Sequence, residues 1–367
     1  MGNRRGQRPA RRKRNSKKRM LGLSQARYRK LSRQQSNTVK RRFHQAPPSA
    51  QPDQRLPEHV QNTETAGTGD QLQDQLSTEN GAVAAVNAKY EEGYRQGYYE
   101  GGEGRLCRQL PPYTVLPDLT IEDVIARGIQ QAASLLVPLM TPTEVYAEIG
   151  RALDQRQPFS VVRLGDGELL TLAHDMIIST EQARAWGSFL PYAGVILPDE
   201  AARSALADSL HKASIIGIPE SRHPSFQGLL FPVLKQLGIS CRELKMTTST
   251  VNYALHEQGL LYPMLRGRKL LLIGNKAGGL ANVLSNHGFK VNGIITPVNG
   301  VHDVRRVMKE ATSFEFELAL VAAGVAAVVI CATIAEELGK VSFDLGHLAN
   351  QFEPGETSLL PGLEVNK

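Results

Sequence analysis

The stretch Phe159-Ser-Val-Val-Arg-Leu-Gly-Asp-Gly-Glu168 decides the reading of this chain. Phe159 to Leu164 reads as a short buried strand, Arg163 apart. Gly165 and Gly167 then force a tight turn, because glycine takes backbone angles that other residues avoid. The turn presents Asp166 and Glu168, one glycine apart. Two acids aimed together repel unless something positive lies between them. A divalent cation holding a diphosphate meets that need, since hard cations take carboxylate and phosphate oxygens together. The plainer reading is a polar turn that caps the next helix, favoured on dipole grounds alone. Position argues for more than a cap, because ligands of open α/β sheets bind at the carboxyl ends of strands.

Outward from this turn the chain alternates. Ser214–Ile218, Lys269–Ile273, Val291–Thr296, Leu318–Ala322 and Val341–Asp344 read as strands. Helical stretches lie between them, around 199–212, 226–237, 279–288, 301–311 and 325–338. Short apolar strands alternating with helices predict an α/β fold, a Rossmann-like and mostly parallel sheet with helices on both faces. Upstream, Thr120-Ile-Glu-Asp123 and Thr141-Pro-Thr-Glu144 have the form of helix starts, the second with Pro at the first helical position. The folded body is expected over 118–350, followed by a tail at 351–367. Leu318–Ala335 is uncharged for 18 residues. A buried strand, a glycine turn and a buried helix explain it better than a membrane span, because it is Ala-rich, broken by Gly324 and lacks interfacial Trp or Tyr.

Charge is divided unevenly. Residues 1–43 hold 17 Lys or Arg and no acid, so the net +7 of the 367-residue chain belongs to this arm and the remainder carries −10. Such a run is expected to be disordered. It is either an arm for a polyanion, anionic membrane or nucleic acid, or a solvated tail. Residues 44–86, rich in Gln, Pro, Thr, Ser, Asp and Asn, read as a linker. Residues 87–117 hold a repeat of period four, Tyr90-Glu-Glu-Gly93, Tyr94-Arg-Gln-Gly97, Tyr98-Tyr-Glu-Gly101, and a connector. A helix here would line up the tyrosines on one stripe, but each glycine costs it about 1 kcal/mol, which favours an irregular tract over a helix induced by a partner. No apolar run follows the basic start, so no signal peptide is expected. Cys107, Cys241 and Cys331 are widely spaced and odd in number, which argues for a reducing, cytoplasmic compartment and against a disulfide framework or zinc site.

Three further places carry candidate chemistry. Leu270-Leu-Leu-Ile-Gly-Asn-Lys-Ala-Gly-Gly279 runs from a strand into a helix whose start could hold a phosphate. It matches neither a dinucleotide fingerprint nor a Walker loop, but Gly274 and Asn275 could line the same cleft as Asp166. Glu220-Ser-Arg-His223 follows a strand end, which makes Arg222 a candidate phosphate clamp and His223 or Glu220 a candidate general base; a solvated loop is the plainer account. His347 stands at another strand end and could bind a phosphate or a sugar hydroxyl. No nucleophile elbow, H-E-x-x-H or kinase set is present.

The acidic turn resembles the R-F-G-D-G-E signature of the GT-D-type glycosyltransferases, first described as a bacterial domain of unknown function. The likeness continues in order. Lys269–Gly274 resembles the family's middle strand, Leu320-Val-Ala-Ala-Gly-Val-Ala-Ala327 its G-P-T-A turn at Gly324, and Phe343-Asp-Leu-Gly-His347 its D-I-G-H ending. It covers roughly residues 150–350. The resemblance implies transfer of a sugar, in the manner of a hexosyltransferase, from a nucleotide-sugar donor, most simply a UDP-sugar, to an acceptor protein or glycan. It implies a D-x-E pair, Asp166 and Glu168, that binds Mn²⁺ or Mg²⁺ and the donor, with Gly165, Gly167, Arg163 and His347 at signature positions; Arg163 is expected to act beside the acids, either orienting them or neutralising phosphate. The chain departs from the pattern in places. Leu164 replaces Phe, Val325 and Ala326 replace Pro and Thr, and the acids expected after His347 are replaced within Leu348-Ala-Asn-Gln-Phe352. Those losses keep a second expectation open, a non-catalytic binding or scaffold protein on a decayed transferase domain, working through its basic tail and tyrosine repeat.

Overall fold

The computed structural model describes residues 69–352, with side chains over 85–350. The basic arm, the first part of the linker and the final tail lie outside the described residues. The described residues fall into two units that divide between Arg108 and Gln109.

In the first unit, helix α1 spans Gly69–Gly101 and α2 begins at Glu103 and runs to Gln109. Two expectations change here. Residues 69–86 are helical where a linker was expected, because Leu72, Leu76, Ala82, Ala84 and Ala85, with several Gln, are good helix formers. The tyrosine repeat is also helical. A 33-residue helix spreads the glycine cost over many favourable positions, which a reading of twelve residues alone does not see.

The second unit opens with α3 (Ile121–Gln131) and α4 (Pro142–Gln155), both begun by the expected caps. Glu144 Oε2 accepts from Thr141 N at 2.7 Å while Thr141 Oγ1 accepts from Glu144 N at 3.3 Å, a reciprocal capping box. Seven strands follow: β1 (Phe159–Arg163), β2 (Ile215–Ile218), β3 (Met246–Thr248), β4 (Lys269–Gly274), β5 (Lys290–Ile295), β6 (Leu318–Ala322) and β7 (Val341–Asp344). Between β1 and β4 lie α5 (Asp166–Ala173), α6 (Thr180–Trp186), α7 (Glu200–Lys212), α8 (Gln227–Gln236), α9 (Val251–Glu257) and α10 (Leu261–Leu265). Beyond β4 come α11 (Ala277–Asn286), α12 (Val304–Ala311) and α13 (Ala326–Leu338).

Every strand pairing is parallel, in the order β3-β2-β1-β7-β6-β4-β5. Alternate residues of each strand serve opposite faces. Val162, Ile216, Leu271 and Ala319 join α5, α7, α8 and α13 in one buried cluster. Val161, Ile215, Leu272, Leu320 and Phe343 join α4, α9, α10 and α11 in the other. Both faces are therefore covered, as a parallel sheet requires. The uncharged stretch at 318–335 is β6, the turn at Gly324 and the buried start of α13. Among the described residues no helix is long and apolar enough to cross a membrane.

From β3 the chain crosses the sheet to β4, lays β5 outside it, and works back through β6 to β7 beside β1. β4 leads outward to β5 while its neighbour β6 leads inward to β7, so the winding reverses between these two strands, the topological switch point at which open α/β sheets form a crevice. The same order sets the acidic turn after β1 beside the ends of β7, β6 and β4.

Candidate functional site

A cleft of about 960 Å³ opens at this point. Gly165 to Glu168 form one wall, Ala322 to Val325 after β6 another, and Asn275 and Lys276 after β4 a third. Asp344, Gly346 and His347 after β7 complete the floor, with Phe189 and Tyr192 from the segment before α7 at the rim.

Glycine shapes one side of it. Gly324 has φ +55°, and a Cβ there would come 2.5 Å from the carbonyl oxygen of Ala193. That close approach lets Val325 N donate to Ala193 O at 3.2 Å. The segment carrying Phe189 and Tyr192 is thereby fastened to the turn after β6. Tyr192 is nonetheless 79% exposed at the mouth of the cleft.

The acidic turn caps the helix that follows it, as the plainer reading expected. Glu168 Oε2 accepts from Gly165 N at 2.7 Å, so one oxygen of Glu168 caps α5. Asp166 Oδ1 accepts from Gly167 N at 2.9 Å. Each acid keeps a second oxygen, and both residues line the cleft. Burial pushes the Glu168 carboxyl up to about 7, helped by the negative Asp344 and opposed by the Gly165 amide and Arg163. A group held this way gains from a nearby cation.

Arg163 is spent on the protein. Its Nε donates to Asp344 O at 2.9 Å and its Nη2 to Asp344 Oδ1 at 3.0 Å. Its Nη1 donates to Ser249 O at 3.0 Å and to Asn252 Oδ1 at 3.4 Å. Asn252 Nδ2 in turn donates to Leu345 O at 2.8 Å. Gly346, at φ +54°, passes so close to the guanidinium that a Cβ would collide with it. Burial alone would depress the guanidinium, but Asp344 beside it raises it overall. Burial also pushes the Asp344 carboxyl up, with Arg163 pulling it back. Arg163 therefore ties β1 to the end of β7 and to the loop before α9. It positions Asp344 in the floor of the cleft, where a free arginine would clamp a phosphate.

Of the other candidates, Gly165, Gly167, Asn275, Gly324 and His347 line the cleft. Asn275 Oδ1 accepts from Val298 N at 2.7 Å, which pins the loop after β5. Gly274, at φ +135°, lies one residue back in the strand and packs on Ala322. Glu220, Arg222 and His223 stand apart. They are exposed, and none lines the cleft. His223 is occupied within its own loop, its Nδ1 lying 2.8 Å from Ser225 Oγ. The reason is strand order. β2 lies away from β7, so its end does not face the switch point. Asp344, Lys276, Asn299 and Tyr192 were missed; for Asp344 the D-L-G-H match was the available signal.

Among the described residues no three His, Cys, Asp or Glu side chains converge in a way that would hold a metal ion. Two carboxylates remain, which suits a cation that completes its shell with substrate phosphates and water.

A family model described as the GT-D fold-like domain matches residues 140–352. Among solved structures, one described as "The highly conserved domain of unknown function 1792 has a distinct glycosyltransferase fold" is 18% identical, with a TM-score of 0.40 over 56% of this chain and 78% of that one. Another, "A New Glycosyltransferase (DUF1792) from Streptococcus sanguinis", is 16% identical, with a TM-score of 0.39 over 59% of this chain and 84% of that one. No curated protein matches the chain.

Proposed function

The chain belongs to the GT-D fold-like domain family, and on that premise we propose that it moves a sugar from a nucleoside diphosphate, a UDP-sugar, to an acceptor hydroxyl. The observation that carries this reading is the place of Asp166 and Glu168. They share one cleft with the starts of α11 and α13, neither of which has a side-chain cap. Uncapped helix starts offer free amides to phosphate oxygens, and the acids would offer oxygens to a divalent cation.

Asp166 and Glu168 would hold Mn²⁺ or Mg²⁺. Such an ion, when bound, acts as a Lewis acid on the departing diphosphate. The bond from the anomeric carbon to the phosphate oxygen breaks, and the acceptor oxygen bonds to that carbon. The acceptor's proton goes to a base. His347, exposed in the cleft, is better placed for that role than His223 or Glu220. Arg163 and Asp344 keep the floor fixed, which limits reorganisation during reaction.

The test is a thermal-shift series with UDP, Mn²⁺ and both together. UDP with Mn²⁺ is expected to raise the melting temperature more than either alone, because ligands of the folded state stabilise it. Asp166→Asn should remove the synergy while the protein stays folded. An equal UDP-dependent shift in both proteins would overturn the metal assignment.

A further inference from the structure

The cleft is lined on one side by the segment before α7, including Phe189, Tyr192 and Gly194, and on another by Val298 and Asn299 after β5. These two stretches meet at two points. At the first, backbone meets backbone. Gly300 has φ +121°, and a Cβ there would lie 2.1 Å from the carbonyl oxygen of Gly194. At the second, His302 Nε2 lies 2.8 Å from Asp199 Oδ2. The Asp199 side chain is 11% exposed and that of His302 71%, so a surface imidazole reaches down to a half-hidden acid.

Asp199 is fixed by what it holds. Its Oδ1 accepts from Ala202 N at 2.9 Å and so caps α7. Its own N donates to Nε2 of the fully buried His174 at 3.2 Å. With Nε2 accepting, Nδ1 of that ring carries the proton and donates to Thr171 O at 2.6 Å. Thr171 Oγ1 donates in turn to Gly167 O at 2.8 Å, between the two acids. A run of hydrogen bonds thus joins the acidic turn to His302. On the loop itself, Asn299 N donates to Asp303 Oδ2 at 2.9 Å, so Asn299 moves with the turn that bears His302.

We propose that Asp199 and His302 form a clasp that positions the loop after β5 against the aromatic rim and so sets the shape of the donor cleft. They are positioning residues, since neither lines the cleft itself. The inference rests on the donor reading given above. The clasp is a hydrogen bond while the imidazole is neutral and an ion pair once it takes a proton. Of the other charges nearby, Glu200 and Arg203 on the first turn of α7 pair with each other, and Asp303 pairs with Arg306. Arg305 is exposed. Asp199 is therefore the charge that answers His302, and the clasp should tighten as pH falls.

Hydrogen exchange of the full chain, without ligand, reads the clasp. His302→Leu should speed exchange several-fold in peptides covering 189–199 and 297–303. His302→Gln, which keeps an N–H donor, should restore wild-type exchange near pH 8. Calorimetric titration of UDP with Mn²⁺ reads the consequence. His302→Leu should weaken UDP about fivefold, the worth of one hydrogen bond. His302→Gln should match the wild type near pH 8 and fall about two- to fivefold behind it near pH 5.5, where only histidine gains a charge. Glu168 and the phosphates titrate as well, so variant and wild type are compared at each pH. Wild-type exchange in His302→Leu overturns the clasp. Faster exchange with unchanged UDP affinity overturns its positioning of the donor, and a His302→Gln deficit that ignores pH overturns the ion pair. A wild type that takes up no UDP overturns the donor reading instead, and exchange then decides the clasp alone.

Discussion

The ends of β1 and β2 make an instructive pair. Each is a short buried strand, and each runs into residues that could bind phosphate or move a proton. After β1 come Asp166 and Glu168, inside the cleft. After β2 come Glu220, Arg222 and His223, exposed on a loop that folds on itself. The strands are hydrogen-bonded neighbours, so the difference does not arise from distance along the sheet. It arises because β1 has β7 on its other side, whose end carries Asp344 and His347 into the cleft, and β2 has β3. The cleft runs on from there to the switch point between β6 and β4, and the loop after β2 does not line it.

The largest effect expected from disturbing one end and not the other is on stability. Arg163 and Asp344 form an ion pair with side chains only 15% and 5% exposed. Replacing Arg163 by Met leaves a buried carboxylate without its partner, and breaking such a pair costs about 3–5 kcal/mol. The matching change after β2, Arg222→Met, alters an exposed side chain and should stay within about 0.5 kcal/mol. Urea unfolding of both variants checks this. Similar midpoints would mean that the Arg163 network does not tie the strand ends together.

Activity should separate the two ends next. Asp166→Asn is expected to lower donor turnover by about 100-fold or more, since a metal at a leaving group supplies several kcal/mol and each tenfold is about 1.4 kcal/mol. Arg222→Ala and His223→Ala should change turnover by less than about twofold, because neither side chain lines the cleft. Release of UDP from UDP-sugars, measured with and without Mn²⁺, gives the comparison. A large loss in His223→Ala would return that loop to the site.

The sequence made the layers legible and the order of strands illegible. Runs such as Leu270–Ile273 and Leu318–Val321 are apolar because the sheet is covered on both faces, so their burial shows directly in residue type. β3 did not show, being a three-residue edge strand with too little pattern to see. The acidic turn was legible because glycines flank it. Asp344 was not singled out, because an acid closing a buried strand reads as a strand end until Arg163, 181 positions away, is seen to pair with it. The same holds for Asn252 and Ser249, whose bonds to Arg163 span 89 and 86 positions. Such partners are set by topology, and local spacing carries no trace of them.

The smallest expected effect separates two glycines that a sequence cannot tell apart. Gly324, in the turn after β6, and Gly238, after the helix that follows β2, both have positive φ, +55° and +70°. Either would pay for a side chain in this region of backbone space, about 1 kcal/mol. Around Gly238 a Cβ would meet nothing within 4 Å, whereas at Gly324 it would press on the Ala193 carbonyl at 2.5 Å. Gly238→Ala should therefore cost the backbone penalty alone and leave UDP affinity unchanged. Gly324→Ala should cost about 1 kcal/mol more, and the segment bearing Phe189 and Tyr192 must shift to relieve the contact. Because that segment forms the rim of the cleft, a several-fold loss of UDP affinity should accompany the lost stability. Calorimetric titration of UDP into both variants, beside their urea midpoints, decides the matter. If Gly324→Ala loses stability while UDP binds as before, the segment closes the fold without shaping the donor site, and the aromatic rim belongs to the acceptor or to neither substrate.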